Sequence, residues 1–293
     1  MRKTLLAALI AAILPVAAQA QTAAPAGDGV LPRPPAAPIK ASKIILVGDS
    51  TTQVLSGWGG SFCAYHVTSS AACVNLARGG RSTYSYIAEG SWDMALAEMK
   101  TPGFVRTWVL IQFGHNDQPG KPGRSTYLAT EFPMYLKRYV EETRAAGAEP
   151  VLLTPLSRRQ FTNGKLNRDL DPWADAIRKV AAEMKVPLVD LNKRSADLVE
   201  AMGPSMANSF AQAAPSAEVA AAALTGTTIA SAPASPATLA TPAQNNAAVE
   251  PLGQAKLAFD YTHLGRLGAD FFSKIVVDEL AVAAPAMRPL LVP

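Results

Sequence analysis

Five short apolar runs, each breaking off into polar or turn-forming residues, constrain this chain more than any other feature. They fall at 43–48 (KIILVG), 72–77, 107–113 (TWVLIQF), 150–155 (PVLLTP) and 186–191 (VPLVDL). The runs are apolar on consecutive rather than alternate residues, which predicts strands buried on both faces. Helical periodicity lies between the later ones. Leu128, Phe132, Tyr135 and Tyr139 recur at helical spacing ahead of Gly147. Asp171 and Pro172 read as an N-cap and first helical residue, followed by the stripe Trp173, Ile177, Val180 and Met184. Both stripes are read as core packing. Strands alternating with helices predict an α/β fold, a three-layer α/β/α sandwich with a five-stranded parallel sheet.

The flanks of this pattern carry different information. Arg2 and Lys3 precede an apolar run from Leu5 to Ala18, and Ala18, Gln19 and Ala20 form a small-residue cleavage site, so residues 1–20 read as a secretory signal peptide. The run is too short for a membrane span, and no later segment offers one. Residues 21–42, rich in Ala and Pro, read as a flexible leader, and the folded domain is expected over 43–293. Within it, 203–258 is dominated by Ala, Ser, Thr and Pro and reads as a mostly disordered insertion, with a short helix around Ala217 to Leu224. Periodicity resumes at Phe259, and Leu264, Leu267, Phe271 and Ile275 are expected on one buried helical face.

Export changes the meaning of the only two cysteines, Cys63 and Cys73. An oxidising compartment allows them to pair across a short loop; two neighbouring free thiols are the alternative. The formal charge of +4 includes Arg2 and Lys3 and comes without a Lys/Arg run, so no nucleic-acid partner is indicated. The three histidines, His66, His115 and His263, have no ligand-like spacing, and no metal or organic cofactor is expected.

Open parallel sheets bind ligands beyond the carboxyl ends of their strands. The residues expected there are Gly48 to Thr52, Asn75 to Ser82, Phe113 to Gln118 and, past the insertion, Asp260 to Asp270. Together they supply what acyl transfer needs. A serine hydroxyl is a weak nucleophile until a base takes its proton; Ser50 has a suitable base in His263, because an imidazole's ordinary pKa lies near neutrality. Asp260, three residues before His263, can hold the other ring nitrogen. The N–H groups of Ser50 and Gly80 and the amide of Asn116 can donate to a developing oxyanion, with Gly80 permitting close approach.

Four blocks, GDS, a glycine block, Gly-x-Asn-Asp and Asp-x-x-His, resemble in order and spacing those of the SGNH (GDSL-like) hydrolases. The fuller strings GDSTT, GWG (57–59), GGRST, IAEGSW, FGHND and DYTHL are similar to the rhamnogalacturonan acetylesterase group of carbohydrate esterases. The resemblance covers roughly 43–200 and 259–280. It implies a flavodoxin-like fold, Ser50, Asp260 and His263 as a triad, and Ser50, Gly80 and Asn116 as oxyanion hole. The implied substrate is an acetylated plant cell-wall polysaccharide. The long Ala-rich tract ahead of the Asp-x-x-His block departs from the family pattern.

Other readings stand beside these. Arg81 is placed either against a substrate uronate or in an internal salt bridge. Trp58 and Tyr84 either stack on sugar rings or pack in the core or at its rim. Asp49, His115 and Asp117 are read as structural supports. The competing functions are an SGNH esterase, lipase or thioesterase of other acyl preference, a carbohydrate-binding protein without catalysis, and a tethered structural protein. No oligomeric state is implied.

Overall fold

The computed structural model describes residues 35–230 and 258–293. The signal peptide, most of the leader and residues 231–257 of the expected insertion lie outside the described residues. Among the described residues, all regular structure lies in the unit Ile39–Pro293.

A five-stranded sheet forms the centre, every neighbouring pair parallel. Its strands are β1 (Ser42–Gly48), β2 (Ala71–Asn75), β3 (Thr107–Gln112), β4 (Glu149–Leu153) and β7 (Leu188–Val189), ordered β2-β1-β3-β4-β7. Two short strands, β5 (Phe161–Thr162) and β6 (Lys165–Leu166), make a separate antiparallel hairpin. The run expected at 186–191 pairs with β4 only through Leu188 and Val189, because Asp190 already caps the next helix.

Alternate residues of the central strands feed opposite faces, as strand geometry requires. Ile44, Leu46, Leu110, Val151 and Leu153 pack with α1 (Gly59–Tyr65), α6 (Leu191–Ala207) and α8 (Arg266–Ala283). Ile45, Val47, Val109, Ile111 and Leu152 pack with α2 (Thr83–Ala88), α3 (Ser91–Met99), α4 (Glu131–Ala145) and α5 (Asp171–Met184). Each such fully buried aliphatic contributes roughly 1.5–3 kcal/mol. Cys63 of α1 and Cys73 of β2 are joined in a disulfide, tying the edge strand to the helix that covers it.

Three expectations need correction. Leu170, not Asp171, occupies the N-cap of α5, because the chain is already turning there: Trp173 and Ala174 N–H both donate to Leu170 O. Asp171 instead lies in the first turn, where a carboxylate complements the positive helix end. The buried side of α8 is Gly268, Ala269, Phe272, Ile275 and Val276, whereas Leu267 is 58% exposed. The small residues set this rotation, since a Cβ at Gly268 would lie 2.8 Å from Phe210 O, and one at Gly265 2.4 Å from Ala211 O.

Phe210 and Ala211 lie in a segment that departs further from the sequence expectation. Residues 203–230, expected within a disordered insertion, are built into the domain. The α6 helix bends at Gly203, which has φ +72°, and continues through Pro204 to Ala207. Phe210 then stacks on Phe271 and meets Phe272 edge-on. The short helix expected at Ala217 to Leu224 is present as α7 (Ala217–Leu224), capped by Ser216 and burying Val219 and Ala223. Thr228 N–H donates to Phe161 O at 3.0 Å, closing the segment onto the hairpin. A few anchors, Phe210 and Val219 above all, order a stretch whose average composition is that of a linker.

Candidate active site

The strand order places a topological switch between β1 and β3: from β1 the chain goes to the β2 edge and then crosses to β3 on the other side. Ser50 and Asn116 follow these two strands, at the crevice where such a reversal opens.

The turn after β1 is over-determined. Gly48 admits no side chain, since a Cβ would lie 2.6 Å from Gln112 O. Asp49 Oδ1 accepts from Thr51 N–H and Thr51 Oγ1, each at 2.8 Å. Burial opposes ionisation of Asp49, but the His115 ring 3.5 Å away and the Thr51 contacts outweigh it and hold the carboxyl below its ordinary range. Ser56 Oγ donates to Ser50 O at 2.7 Å. Trp58, Gln112 and Thr51 form a chain: the indole N–H donates to Gln112 Oε1, and the Gln112 amide to Thr51 Oγ1, both at 2.7 Å. Trp58 is fully buried, so it braces the nucleophile turn and presents no face to a sugar.

Ser50 Oγ lies 2.9 Å from His263 Nε2, and His263 Nδ1 lies 2.6 Å from Asp260 Oδ2. Asp260 Oδ1 accepts from the N–H groups of Thr262 and His263, both at 2.7 Å. Burial would raise the Asp260 pKa; the hydrogen bond and charge of His263 and these two N–H donors bring it down to about 2. A carboxylate ionised at neutral pH thus fixes the Nδ1–H tautomer and leaves Nε2 to accept a proton from Ser50.

The Asp260–His263 turn is held by Arg159, a fully buried side chain that the sequence reading did not single out. Its Nη2 donates to Asp260 O (3.0 Å) and His263 O (2.8 Å), and its Nη1 to Thr262 O (3.3 Å). Arg159 N–H adds a bond to Tyr261 O at 2.8 Å. Leu264 N–H donates to Ser56 O at 2.8 Å, so the same serine supports both halves of the site. Arg158 and Arg159 lie in the loop after β4, which ends at Leu153, at the same edge of the sheet.

The remaining expected donors lie on two loops that Asp117 fastens together. Gly80 adopts φ +76°, a conformation that favours glycine. The Asn116 amide donates to Arg81 O at 3.1 Å through one of its two hydrogens. Asp117 accepts from Thr83 N–H (3.0 Å), the Thr83 hydroxyl and Thr126 Oγ1 (3.1 Å), which connects the start of α2 to the loop before α4. Burial pushes the Asp117 carboxyl up to about 7, against these donors and with the Asp49 charge adding to the rise.

Arg81 takes the second of its two expected roles. It is fully buried, with Nε 2.9 Å from Glu89 Oε2 and Nη1 donating to Gly79 O at 2.6 Å, so it secures the glycine loop from inside. Tyr84 is partly exposed on α2, its ring tilted against Tyr135. Of the other histidines, His66 Nδ1 contacts Val292 O at 2.8 Å, and His115 lies 3.5 Å from Asp49 behind the nucleophile.

Residues 46–213 match the GDSL-like lipase/acylhydrolase family. Two Bacillus subtilis proteins are similar in sequence. The probable rhamnogalacturonan acetylesterase YesY is 36% identical over 162 residues, 53% of this chain and 72% of YesY. The rhamnogalacturonan acetylesterase RhgT is 37% identical over 173 residues, 56% of this chain and 71% of RhgT. Among solved structures, the B. subtilis protein YxiM superposes with a TM-score of 0.55 at 21% identity, covering 84% of this chain and 57% of YxiM. A catalytic mutant of the acetylxylan esterase Axe2 from Geobacillus stearothermophilus gives 0.50 at 16% identity, covering 83% and 96%. These two likenesses concern the fold.

Fold and sequence similarity together define a carboxylic ester hydrolase built on a doubly wound sheet. The chain belongs to the GDSL-like lipase/acylhydrolase family, the SGNH hydrolases, in its rhamnogalacturonan acetylesterase group.

Proposed function

We propose that the protein is an exported serine esterase that removes acetyl groups from plant cell-wall polysaccharide, with rhamnogalacturonan as its principal polymer. The observation that carries this reading is the hydrogen-bonded chain Ser50–His263–Asp260. Ser50 Oγ attacks the acetyl carbonyl while His263 Nε2 takes its proton. The oxyanion is met by the N–H groups of Ser50 and Gly80 and the second amide hydrogen of Asn116. Collapse breaks the ester bond, and His263 returns the proton to the departing sugar oxygen. Water, deprotonated by His263, then attacks the acetyl-serine; acetate leaves and Ser50 recovers its proton.

The acetyl and polymer assignments are supported by the names of the relatives YesY and RhgT. Export is supported by the apolar run after Arg2 and Lys3 and by the Cys63–Cys73 disulfide, a bond of oxidising compartments. Ser50→Ala tests the chemistry: acetate release should fall about 10⁴-fold or more with the far-UV spectrum unchanged, and full activity would sink the assignment. Acetate release from acetylated pectin, acetylated xylan and small esters of increasing chain length tests the substrate. Preference for longer acyl chains would favour a lipase instead.

A further inference from the structure

Two buried carboxyls flank the donors expected to hold the oxyanion. Asp49 precedes Ser50 on the loop after β1, Asp117 follows Asn116 on the loop after β3, and both are fully buried. Asp49 takes the negative charge, since the His115 ring and the Thr51 donors overcome its burial. Asp117 keeps its proton further up the pH scale, because burial, with the Asp49 charge adding to it, pushes the carboxyl up to about 7. A fixed anion next to Ser50 opposes the second negative charge that develops on an attacked carbonyl. The other charged groups around the reaction centre have partners of their own. Asp260 has His263 and two N–H groups, Arg159 three carbonyls and Arg81 the Glu89 carboxylate, while Arg124 contacts Asn116 Oδ1 and Gly80 O.

Its own turn satisfies only one oxygen of Asp49. Oδ1 accepts both Thr51 bonds, and Oδ2 has no hydrogen-bond donor among the described residues. Facing Oδ2 is His115 Nδ1, 3.5 Å away. His115 is 4% exposed, and neither of its ring nitrogens has a hydrogen-bond partner among the described residues, so Asp49 is the polar group that its ring meets. A lone pair on Nδ1 would repel the carboxylate; Nδ1 therefore carries a proton. The contact runs from the residue before Ser50 to the residue before Asn116, and so joins the nucleophile turn to the loop of the amide donor.

We propose that His115 is a positioning residue for acyl transfer: its ring offsets the buried Asp49 charge behind Ser50 and ties the nucleophile turn to the loop of Asn116. The inference rests on the ester-hydrolase reading above and extends it to a pair that touches no reacting atom. Without the ring, a buried carboxylate oxygen is left uncompensated, which opposes the oxyanion and frees the turn to move toward other donors. Without the Asp49 charge as well, there is nothing left to offset. Losses from the two residues are therefore strongly non-additive.

The test is a double-mutant cycle of His115→Phe and Asp49→Asn, read as kcat and KM on 4-nitrophenyl acetate per folded molecule. His115→Phe alone should lower kcat about 10- to 100-fold, with KM within about two-fold of wild type. Adding Asp49→Asn should bring kcat back to within about three-fold of Asp49→Asn alone, whereas a ring that only filled space would give losses that multiply. Wild-type kcat in His115→Phe, or losses that multiply, would overturn the pairing and leave the esterase reading intact. If His115→Phe does not fold, the double variant decides: recovery of the fold once Asp49 is neutral supports the pairing, and no recovery overturns it. Absence of hydrolysis by the wild type, on this ester and on acetylated polysaccharide, would overturn both.

Discussion

Replacing Arg159 should disable the site without touching any reacting atom. Its guanidinium makes three hydrogen bonds to carbonyls within the turn that carries Asp260 and His263. Charge-assisted bonds of this kind contribute roughly 1.5–3 kcal/mol each, so the three together are worth about 6 kcal/mol. Against this stands the cost of burying the cation. Burial pulls the Arg159 pKa down from 12.5 to about 10, with Asp260 opposing. That drop corresponds to ~3 kcal/mol. Arg159→Met therefore should cost a net ~3 kcal/mol, a fall in thermal midpoint of about 6–12 °C for a domain of this size. The catalytic loss should be larger than the stability loss suggests, because a turn with three unpaired carbonyls would no longer hold His263 Nε2 at 2.9 Å from Ser50. A displacement near 1 Å costs on the order of 10²-fold in rate. Arg159→Lys, able to reach only some of these carbonyls, should fall between. Calorimetry and steady-state kinetics on 4-nitrophenyl acetate separate the effects: kcat should drop while KM holds. A lowered midpoint with wild-type kcat per folded molecule would show that Arg159 only stabilises, and the positioning argument would fail.

The disulfide closes a loop of sequence separation 10. Cys63→Ala with Cys73→Ala should cost ~2.7 kcal/mol by loop-closure entropy, and an unchanged unfolding midpoint would contradict it. Asp117 gives a pH signature: with its folded pKa raised to about 7, the native state keeps a proton that the unfolded chain releases, so its contribution is full below about pH 4 and fades as pH rises to 7. Asp117→Asn should flatten stability over that window, removing a difference of ~2.7 kcal/mol between urea titrations at pH 5 and pH 8; parallel losses in both proteins would refute the assignment.

The sheet was legible because its strands are continuous apolar runs, and a run buried on both faces has few alternatives. The reacting groups were legible for a chemical reason: hydroxyl, imidazole, carboxylate and amide recur at strand ends, where a doubly wound sheet must place them. Directions of side chains were not. Whether Trp58 faces a sugar or the core depends on Gln112, 54 residues away, and whether Arg81 meets substrate depends on Glu89. Residues 203–230 were misread for a related reason: average composition hides single anchors, and Phe210 is ordered by glycine-permitted contact with α8, which no local window contains.

The order of residues 203–230 bears on how the site is assembled. Asp260 and His263 follow a stretch of unusual composition, yet their placement depends on contacts on either side of residues 231–257. Before it, Thr228 is bound to Phe161 at the hairpin. After it, Tyr261 OH donates to Ile229 O at 2.7 Å, so the chain on the two sides of the stretch is joined directly. Arg159, Ser56 and Phe210 O then fix the turn, its exit and the start of α8. The Ser50–His263 distance is therefore set from both sides of 231–257, by Thr228 and Ile229 before it and by Arg159, Ser56 and Phe210 at the turn that follows.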